Sequence, residues 1–379
     1  MSSELNIVGP VSEQPSLTNI NPSIVKNGVR QLVAFFDGHD LLFRPRVPAN
    51  ELSLQQTAEQ VGALVKKAFR VLALPYEQKS NPIAKEAQKQ LIEWINKHLV
   101  IIDLLKIRKI EASNFGGFIG RVHSRASLDI LCIVADFATW LFIYDDMIEK
   151  CQNKQDIEIL HARTIRILNG HRSNETDAPL NQGLYDILRR INKVCRSSLW
   201  KQRFIDDIRD YCEGTLWEMA NREKEKVPSL KQYQKMRPDT SGTKVMFDFI
   251  EFVEGFVLPR KVFESDYFKK IRLLGANLVN WENDLLSAPK EILNQDLHNL
   301  VFVHKEHGKI SYDEAVQLTI QDLKEDLSAF LQLADNVPNF GAHTDNVNKY
   351  IRGVKEWVYG HHFWAKESPR YIIFFAGTD

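Results

Sequence analysis

The sequence predicts an all-α protein, and three observations predict it. From about residue 82 to about residue 370, nearly every apolar stretch recurs at the 3.6-residue period of a helix rather than the two-residue period of a strand. No run of alternating apolar and polar residues appears. The stretches between periodic segments, such as "PYEQKSNP" (75–82), carry turn residues and a proline. The result is roughly ten helices, too many and too long for a simple four-helix bundle.

In chain order, residues 1–50 scatter Pro, Gly, Ser and Asn and are expected to be mostly irregular. "LSLQQTAEQVGALVKKAFRVLAL" (52–74) spaces Leu and Val as a helix does. "IAKEAQKQLIEWINKHLVI" (83–101) is amphipathic, with Pro82 placed to open it. "RASLDILCIVADFATWLFIYDDMIEK" (125–150) is a long, mostly buried helix. "GHRSNETDAPLNQG" (170–183) is a loop by composition. Further helices are expected at 184–225, 230–236, 243–256, 266–292, 311–335 and 343–366. There is no internal repeat and no low-complexity tract.

The charges exclude two classes of partner. Among 379 residues, 49 basic and 49 acidic side chains cancel. That balance does not make a general surface for nucleic acid or anionic lipid. Any anion bound here must be held by a local site. Cys132, Cys151, Cys195 and Cys212 are far apart and form no CxxC pair, so reduced thiols in a cytoplasmic protein are expected, without disulfides or zinc. "MSSELNIVGPVSEQ" lacks the basic and apolar regions of a signal peptide. The apolar run from Leu128 to Tyr144 is about a turn short for a membrane span and carries Asp136, so it reads as a core helix.

That helix ends in acids. Asp145 and Glu149 are four apart and share a face, while Asp146 lies about 100° round from Asp145. Charged groups are costly beside buried hydrocarbon. Hard oxygen ligands at the end of an apolar wall suit Mg²⁺, which is usually held by one or two carboxylates plus substrate phosphates. A solvated helix end is the alternative for this motif alone. A second segment, "NWENDLLSAPKE" (280–291), alters the balance. Asn283, Ser287 and Glu291 are spaced four and four and fall within about 80° on a helix. An amide oxygen, a hydroxyl and a carboxylate form a second hard-oxygen set. Lys290 returns to nearly the same face and can donate to a phosphate oxygen. The apolar "LLGANLVNW" just before it argues against an ordinary polar surface helix.

With these residues in place, the chain resembles a class I terpene synthase (terpene cyclase) of the microbial type. "DDMIE" is similar to that family's Asp-Asp-x-x-(Asp/Glu) motif, and "NDLLSAPKE" matches its Asn-Asp-x-x-Ser-x-x-Lys-Glu motif at every specified position. Arg237 stands where the family has its pyrophosphate-sensing arginine, 46 residues before Asn283. "ESPRY" supplies the family's closing Arg-Tyr pair as Arg370 and Tyr371. The resemblance spans residues 82–371. It implies a class I terpenoid synthase helical bundle around a central apolar cavity, preceded by a partly helical extension (1–81) and followed by a short tail (372–379). The extension is left either as a cap over the site or as a contribution to a homodimer.

The resemblance also implies an activity. Such enzymes expel pyrophosphate from a linear isoprenyl diphosphate with the help of three Mg²⁺ ions, leaving an allylic carbocation. Asp145 would bind metal, with Asp146 and Glu149 in support, and Asn283, Ser287 and Glu291 would hold a further ion. Arg237, Lys290, Arg370 and Tyr371 would bind the diphosphate. Thr240 and Ser241, three and four residues after Arg237, occupy the linker and effector positions that couple sensing to ionisation, and Gly242 lets the backbone bend there. The cation needs dry aromatic walls, since aromatic faces stabilise it without attacking it. Phe142 and Trp364 are the expected lining, and the other aromatics near the motifs are expected in the core. The pair His361–His362 and the dipeptide His39–Asp40 have no metal spacing with a partner and are assigned no role.

Farnesyl diphosphate is the favoured substrate, with geranylgeranyl diphosphate as the alternative. A chain-elongating prenyltransferase, which would need a second Asp-rich motif serving the same site, is a less favoured reading. Loss of a metal ligand would favour a non-catalytic isoprenoid-binding protein, but all expected ligands are present. Class II chemistry would need Asp-x-Asp-Asp, which is also absent. Pro289 is the one discord. It removes an amide from the second metal motif and predicts a kink or the helix end there.

Overall fold

The long helix α5 (Leu128–Ile148) buries most of its surface and carries the first acidic motif at its C-terminal end. It is apolar almost all round, as a helix inside a protein must be. Two of its polar interior groups reach partners on the helix Pro179–Val194. Trp140 Nε1 donates to the Leu180 carbonyl at 2.9 Å, and Asp136 pairs with Arg190 at 2.7 Å. Burial still pushes the Asp136 carboxyl up to about 8, against the pull of Arg190.

The computed structural model describes residues 52–71, 79–98, 104–151, 153–173 and 177–372. Among these there is no strand. Before α5 come α1 (Leu52–Val71), α2 (Ala84–His98), α3 (Leu104–Ser113) and α4 (Phe115–Val122). After it come α6 (Lys154–Leu168), α7 (Pro179–Val194), α8 (Ser198–Arg222), α9 (Leu230–Thr240), α10 (Thr243–Glu254) and α11 (Arg260–Phe263). The chain continues through α12 (Asp266–Asn294), α13 (Leu300–Gly308), α14 (Tyr312–Asp335), a 3₁₀ turn (Gly341–His343), α15 (Thr344–Glu367) and α16 (Pro369–Ile372). Helix α5 packs on α2, α4, α7 and α10, while α12 packs on α1, α14 and α15. No helix among the described residues is long and apolar enough to cross a membrane.

Local signals set the boundaries. Ser229 and Ser311 each form a capping box, with Gln232 and Glu314 respectively. Ser265 accepts from the Phe268 amide to start α12, and Asn299 accepts from the Val301 amide to start α13.

The structure departs from the predicted helices in identifiable places. The expected helix 184–225 is two helices, because Ser197 turns its hydroxyl onto the Trp200 amide and opens α8 afresh. Helix α7 begins inside the expected loop, at Pro179, whose fixed φ suits a first helical residue. Helices α3, α4, α6 and α13 were not expected at all. Of the kink or helix end expected at Pro289, the helix end does not occur, since α12 runs through it to Asn294. Ala288 is fully buried, and α12 is gripped by three neighbouring helices. That packing outweighs the loss of one bond from proline, about 3 kcal/mol. The expected irregular segment 1–50, His39–Asp40 and the tail 373–379 lie outside the described residues. Of the extension, α1 buries Ala58, Val61, Val65 and Phe69 and lies on α12 and α14.

Candidate active site

One cleft receives residues from α4, α5, α8, α9, α10, α12, α15 and α16. Its cavity volume is about 170 Å³. Asp145 and Glu149 reach it from the end of α5, and Asn283, Ser287, Lys290 and Glu291 from one face of α12. Arg237, Thr240 and Ser241 line it from the end of α9, and Arg370 and Tyr371 from the last described turn. Phe118, Ala138, Leu141, Phe142, Met246, Val279 and Trp357 supply apolar wall.

Each polar group is held by others. Tyr211 of α8 donates its hydroxyl to Asp145 Oδ1 at 2.7 Å. Arg237 Nε donates to Asp284 Oδ1 at 3.0 Å and its Nη2 to Asn283 Oδ1 at 2.8 Å. Asp284 is fully buried and also accepts from the Tyr233 hydroxyl at 2.7 Å and the Leu300 amide at 3.0 Å. It therefore works as the anchor of Arg237, facing away from the cleft. Asn283 Nδ2 donates to the Tyr371 hydroxyl at 2.8 Å. Glu291 Oε2 accepts from Asn299 Nδ2 at 2.7 Å. The Arg370 guanidinium sits 4.9 Å from the centre of the Phe142 ring, a cation–π contact at the cleft edge.

The backbone between α9 and α10 turns at Gly242, whose φ of 68° is left-handed and natural for glycine. Any Cβ there would stand 2.9 Å from Leu141 Cδ2. Ser241 Oγ donates to Thr243 Oγ1 at 2.9 Å, which donates in turn to Asn280 Oδ1 at 3.0 Å. The segment after Arg237 is thus tied to α12.

The donor set fits a divalent cation. Burial, with Glu149 next in weight, pushes the Asp145 carboxyl up to about 7. Burial together with Asp296 and Asp284 pushes Glu291 up to about 8. Burial also raises Glu218, despite His298, Arg222 and Arg237 nearby. Carboxylates raised in this way stand in a site short of positive charge, which a bound cation would supply. Lys290 is held charged chiefly by Glu149. Ser287 Oγ is buried without a hydrogen-bond partner, and an orphaned hydroxyl lining the same cleft as these acids calls for an explanation. Among the described residues no three His, Cys, Asp or Glu side chains cage a metal by themselves. A cation held here would be completed by the Asn283 amide, the Ser287 hydroxyl, water and phosphate oxygens, the kind of mixed shell Mg²⁺ takes.

Two expected residues stand elsewhere. Asp146 does not line the cleft, though it bears electrostatically on Lys290 and Arg370. Trp364 does not line it either. Its Nε1 donates to the Ser113 carbonyl at 2.7 Å, and its ring stacks on Phe118 at 4.3 Å and lies 6.3 Å from Phe142. It supports the wall from behind. Other lining residues were not singled out from sequence: Tyr211, Glu218 and Arg222 on α8, Asp296 and His298 after α12, and His361 on α15. Glu218 is seven after Tyr211 and four before Arg222, a one-face spacing that could have flagged them. The neighbouring Glu282 is buried, which works against its charge, yet hydrogen bonds from His361 and His362 hold its carboxyl below the ordinary value.

Comparison with known proteins agrees with this geometry. The family model "Terpene synthase family 2, C-terminal metal binding" matches residues 136–328. Germacrene A synthase of Nostoc punctiforme is 28% identical over 305 residues, covering 79% of this chain and 94% of that protein. The (+)-T-muurolol synthase of Roseiflexus castenholzii, whose name specifies cyclisation of (2E,6E)-farnesyl diphosphate, is 27% identical over 79% of this chain and 93% of its own. Among solved structures, a linalool/nerolidol synthase from Streptomyces clavuligerus superposes with a TM-score of 0.71 at 20% identity, covering 78% of this chain and 99% of that one. That likeness shows a shared fold.

Proposed function

The chain belongs to terpene synthase family 2, and on that premise we propose that it is a Mg²⁺-dependent class I terpene cyclase that ionises farnesyl diphosphate and closes the carbocation into a cyclic sesquiterpene. One observation carries the reading. The two acidic helix segments, Arg237 and the Arg370–Tyr371 pair all edge a single cleft that is also lined by Phe118, Ala138, Leu141, Phe142, Met246, Val279 and Trp357. The C15 substrate rests on the names of the relatives, among them the Roseiflexus enzyme.

Asp145 and Glu149 on one side, with Asp146 in support, and Asn283, Ser287 and Glu291 on the other would hold the metal, three ions in all by the family resemblance. When bound, Mg²⁺ neutralises the charge that grows on the departing pyrophosphate. The chain's own donors do the rest of that work. Arg237, Lys290, Arg370 and Tyr371 present five-donor forks, an ammonium and a phenol to phosphate oxygens, and such preorganised donors act most strongly where charge develops. Thr240 and Ser241 would carry a change at Arg237 into the cavity through the Ser241–Thr243–Asn280 chain of hydrogen bonds. Phe118, Phe142 and Trp357, with their aliphatic neighbours, keep water from the cation.

The test is to incubate the protein and Mg²⁺ with C10, C15, C20 and C25 isoprenyl diphosphates and to analyse the extracts by mass spectrometry. Cyclic C15 products from farnesyl diphosphate are expected. Linear alcohols or nothing from all four would overturn the reading, and longer diphosphates formed on adding the C5 unit would replace it with chain elongation.

A further inference from the structure

Three buried polar side chains stand together beside the cleft: Glu282 of α12 and His361 and His362 of α15. They are 3%, 4% and 2% exposed respectively. Glu282 Oε2 accepts from His361 Nδ1 at 2.6 Å, and Oε1 accepts from His362 Nδ1. A carboxylate can only accept, so each Nδ1 carries a proton, and a ring that holds no second proton has its lone pair at Nε2. His362 faces away from the cleft and stacks on Phe69 of α1 at 5.7 Å. His361 instead lines the cleft, with its ring edge-on to Phe118 at 6.1 Å and 6.0 Å from Trp364. No hydrogen bond engages its Nε2 among the described residues. A pin joining α12 to α15 accounts for His362 and Glu282. It does not account for a second imidazole among the residues that line the cleft.

We propose that His361 is the proton acceptor that ends the cation's path, with Glu282 as its positioning residue. The proposal rests on the cyclase reading above. In this step a C–H bond next to the cationic carbon breaks, and its electron pair becomes the new C=C bond. The proton passes to His361 Nε2. The imidazolium so formed is stabilised through its Nδ1–H by the Glu282 carboxylate, the same support a carboxylate gives a catalytic histidine elsewhere. The proton leaves to solvent when the product departs and the cleft opens. Placing the acceptor at one point of the wall selects which neighbouring carbon loses its proton, and hence the position of the double bond.

The experiment measures two quantities with farnesyl diphosphate and Mg²⁺: pyrophosphate released, and the share of it that ends as the main wild-type olefin. In His361→Phe, which keeps an aromatic ring and removes the lone pair, that share is expected to fall about tenfold or more. Isomeric olefins and water-captured alcohols should take its place. In His361→Ala, adding free imidazole should restore part of the share, which a purely space-filling role would not allow. Glu282→Gln leaves His361 in place but frees its tautomer, and should shift the share in the same direction by a smaller factor. It also carries the test should the His361 variants fail to fold. An unchanged share in His361→Phe, or in Glu282→Gln if only that variant folds, overturns the proposal. So does a shift that imidazole leaves untouched. A wild-type protein that releases no pyrophosphate from any of the diphosphates fails the cyclase reading itself, a separate result.

Discussion

Arg237 Nη2 and the amide oxygen of Asn283 lie 2.8 Å apart, and the Asn283 nitrogen donates to the Tyr371 hydroxyl at the same distance. Three groups assigned to metal and diphosphate are therefore each other's partners. The arrangement keeps buried polar groups satisfied. On the proposed function, a diphosphate would be bound by exchanging these bonds, with Arg237 and Tyr371 turning to phosphate and Asn283 freed for a cation. Asp284 does not take part in the exchange, because Tyr233 and the Leu300 amide hold it from behind.

Arg237→Ala should therefore cost twice. It strands the Asp284 carboxylate in the interior, a loss of about 3–5 kcal/mol. It also removes a preorganised donor, worth about 10²–10³ in turnover. Arg237→Lys keeps the charge but loses the fork, so stability should recover more than activity does. Urea denaturation and pyrophosphate release measure the two effects, and a fully active, fully stable Arg237→Ala would refute both.

Within the first acidic motif the effects should be graded. Asp145 faces the cleft and Asp146 does not. Asp145→Ala should lower turnover by about 10³ or more, and Asp146→Ala by about tenfold. Tyr211→Phe removes the hydroxyl that orients Asp145 and should fall between wild type and Asp145→Ala. Equal losses in the two aspartate variants, measured at saturating Mg²⁺, would contradict the assignment.

Phe142 and Trp364 should separate chemistry from stability. Trp364→Ala opens a void behind the wall and leaves the Ser113 carbonyl without its donor, at a cost of about 3–5 kcal/mol. Phe142→Ala, at the half-buried cleft edge, should cost less stability and change the product spectrum more. Melting curves and product analysis of the pair decide this, and the reverse order would place Trp364 in the lining.

Acid should destabilise the fold through histidines. Burial, helped by Arg125, pushes His123 down to about 3, and burial pushes His161 down to about 4. Both lie below the unfolded value of about 6.5, so the unfolded chain binds these protons first. The stability they contribute is complete above pH 6.5 and is lost as pH falls toward 3 or 4, by up to about 1.4 kcal/mol per pH unit for each residue. His123→Gln cannot take up the proton, so its urea midpoint should fall less steeply than the wild type's between pH 6 and 4. Parallel slopes would count against a neutral buried His123.

Much of this site was legible because its chemistry is written at helical spacing. Asp145 with Glu149, and Asn283 with Ser287 and Glu291, share faces by arithmetic alone, and their helices formed where periodicity placed them. What was not legible depended on contacts across the chain. Nothing near Asp145 in sequence names Tyr211, which lies 66 residues away. Trp364, six residues before Arg370, sits close to the site, but spacing cannot say on which side of the wall its ring falls. The pair His361–His362 looked idle because its partner, Glu282, is 79 and 80 residues distant. The break before α8 was hidden for a different reason. The 3.6-residue pattern runs straight through it, and only the Ser197 cap marks it. Pro289 shows the converse, a local breaker overruled by tertiary packing.

On the proposed function, this one cleft ionises an isoprenyl diphosphate and shelters the cation. The most direct measurement follows pyrophosphate and hydrocarbon together during turnover of farnesyl diphosphate, with Mg²⁺ and then with a chelator. Pyrophosphate release matched mole for mole by terpene products, mostly cyclic C15 compounds, is expected, with the loss of both on chelation. Release of pyrophosphate with only farnesol or nerolidol formed, or equal rates with and without metal, would contradict it.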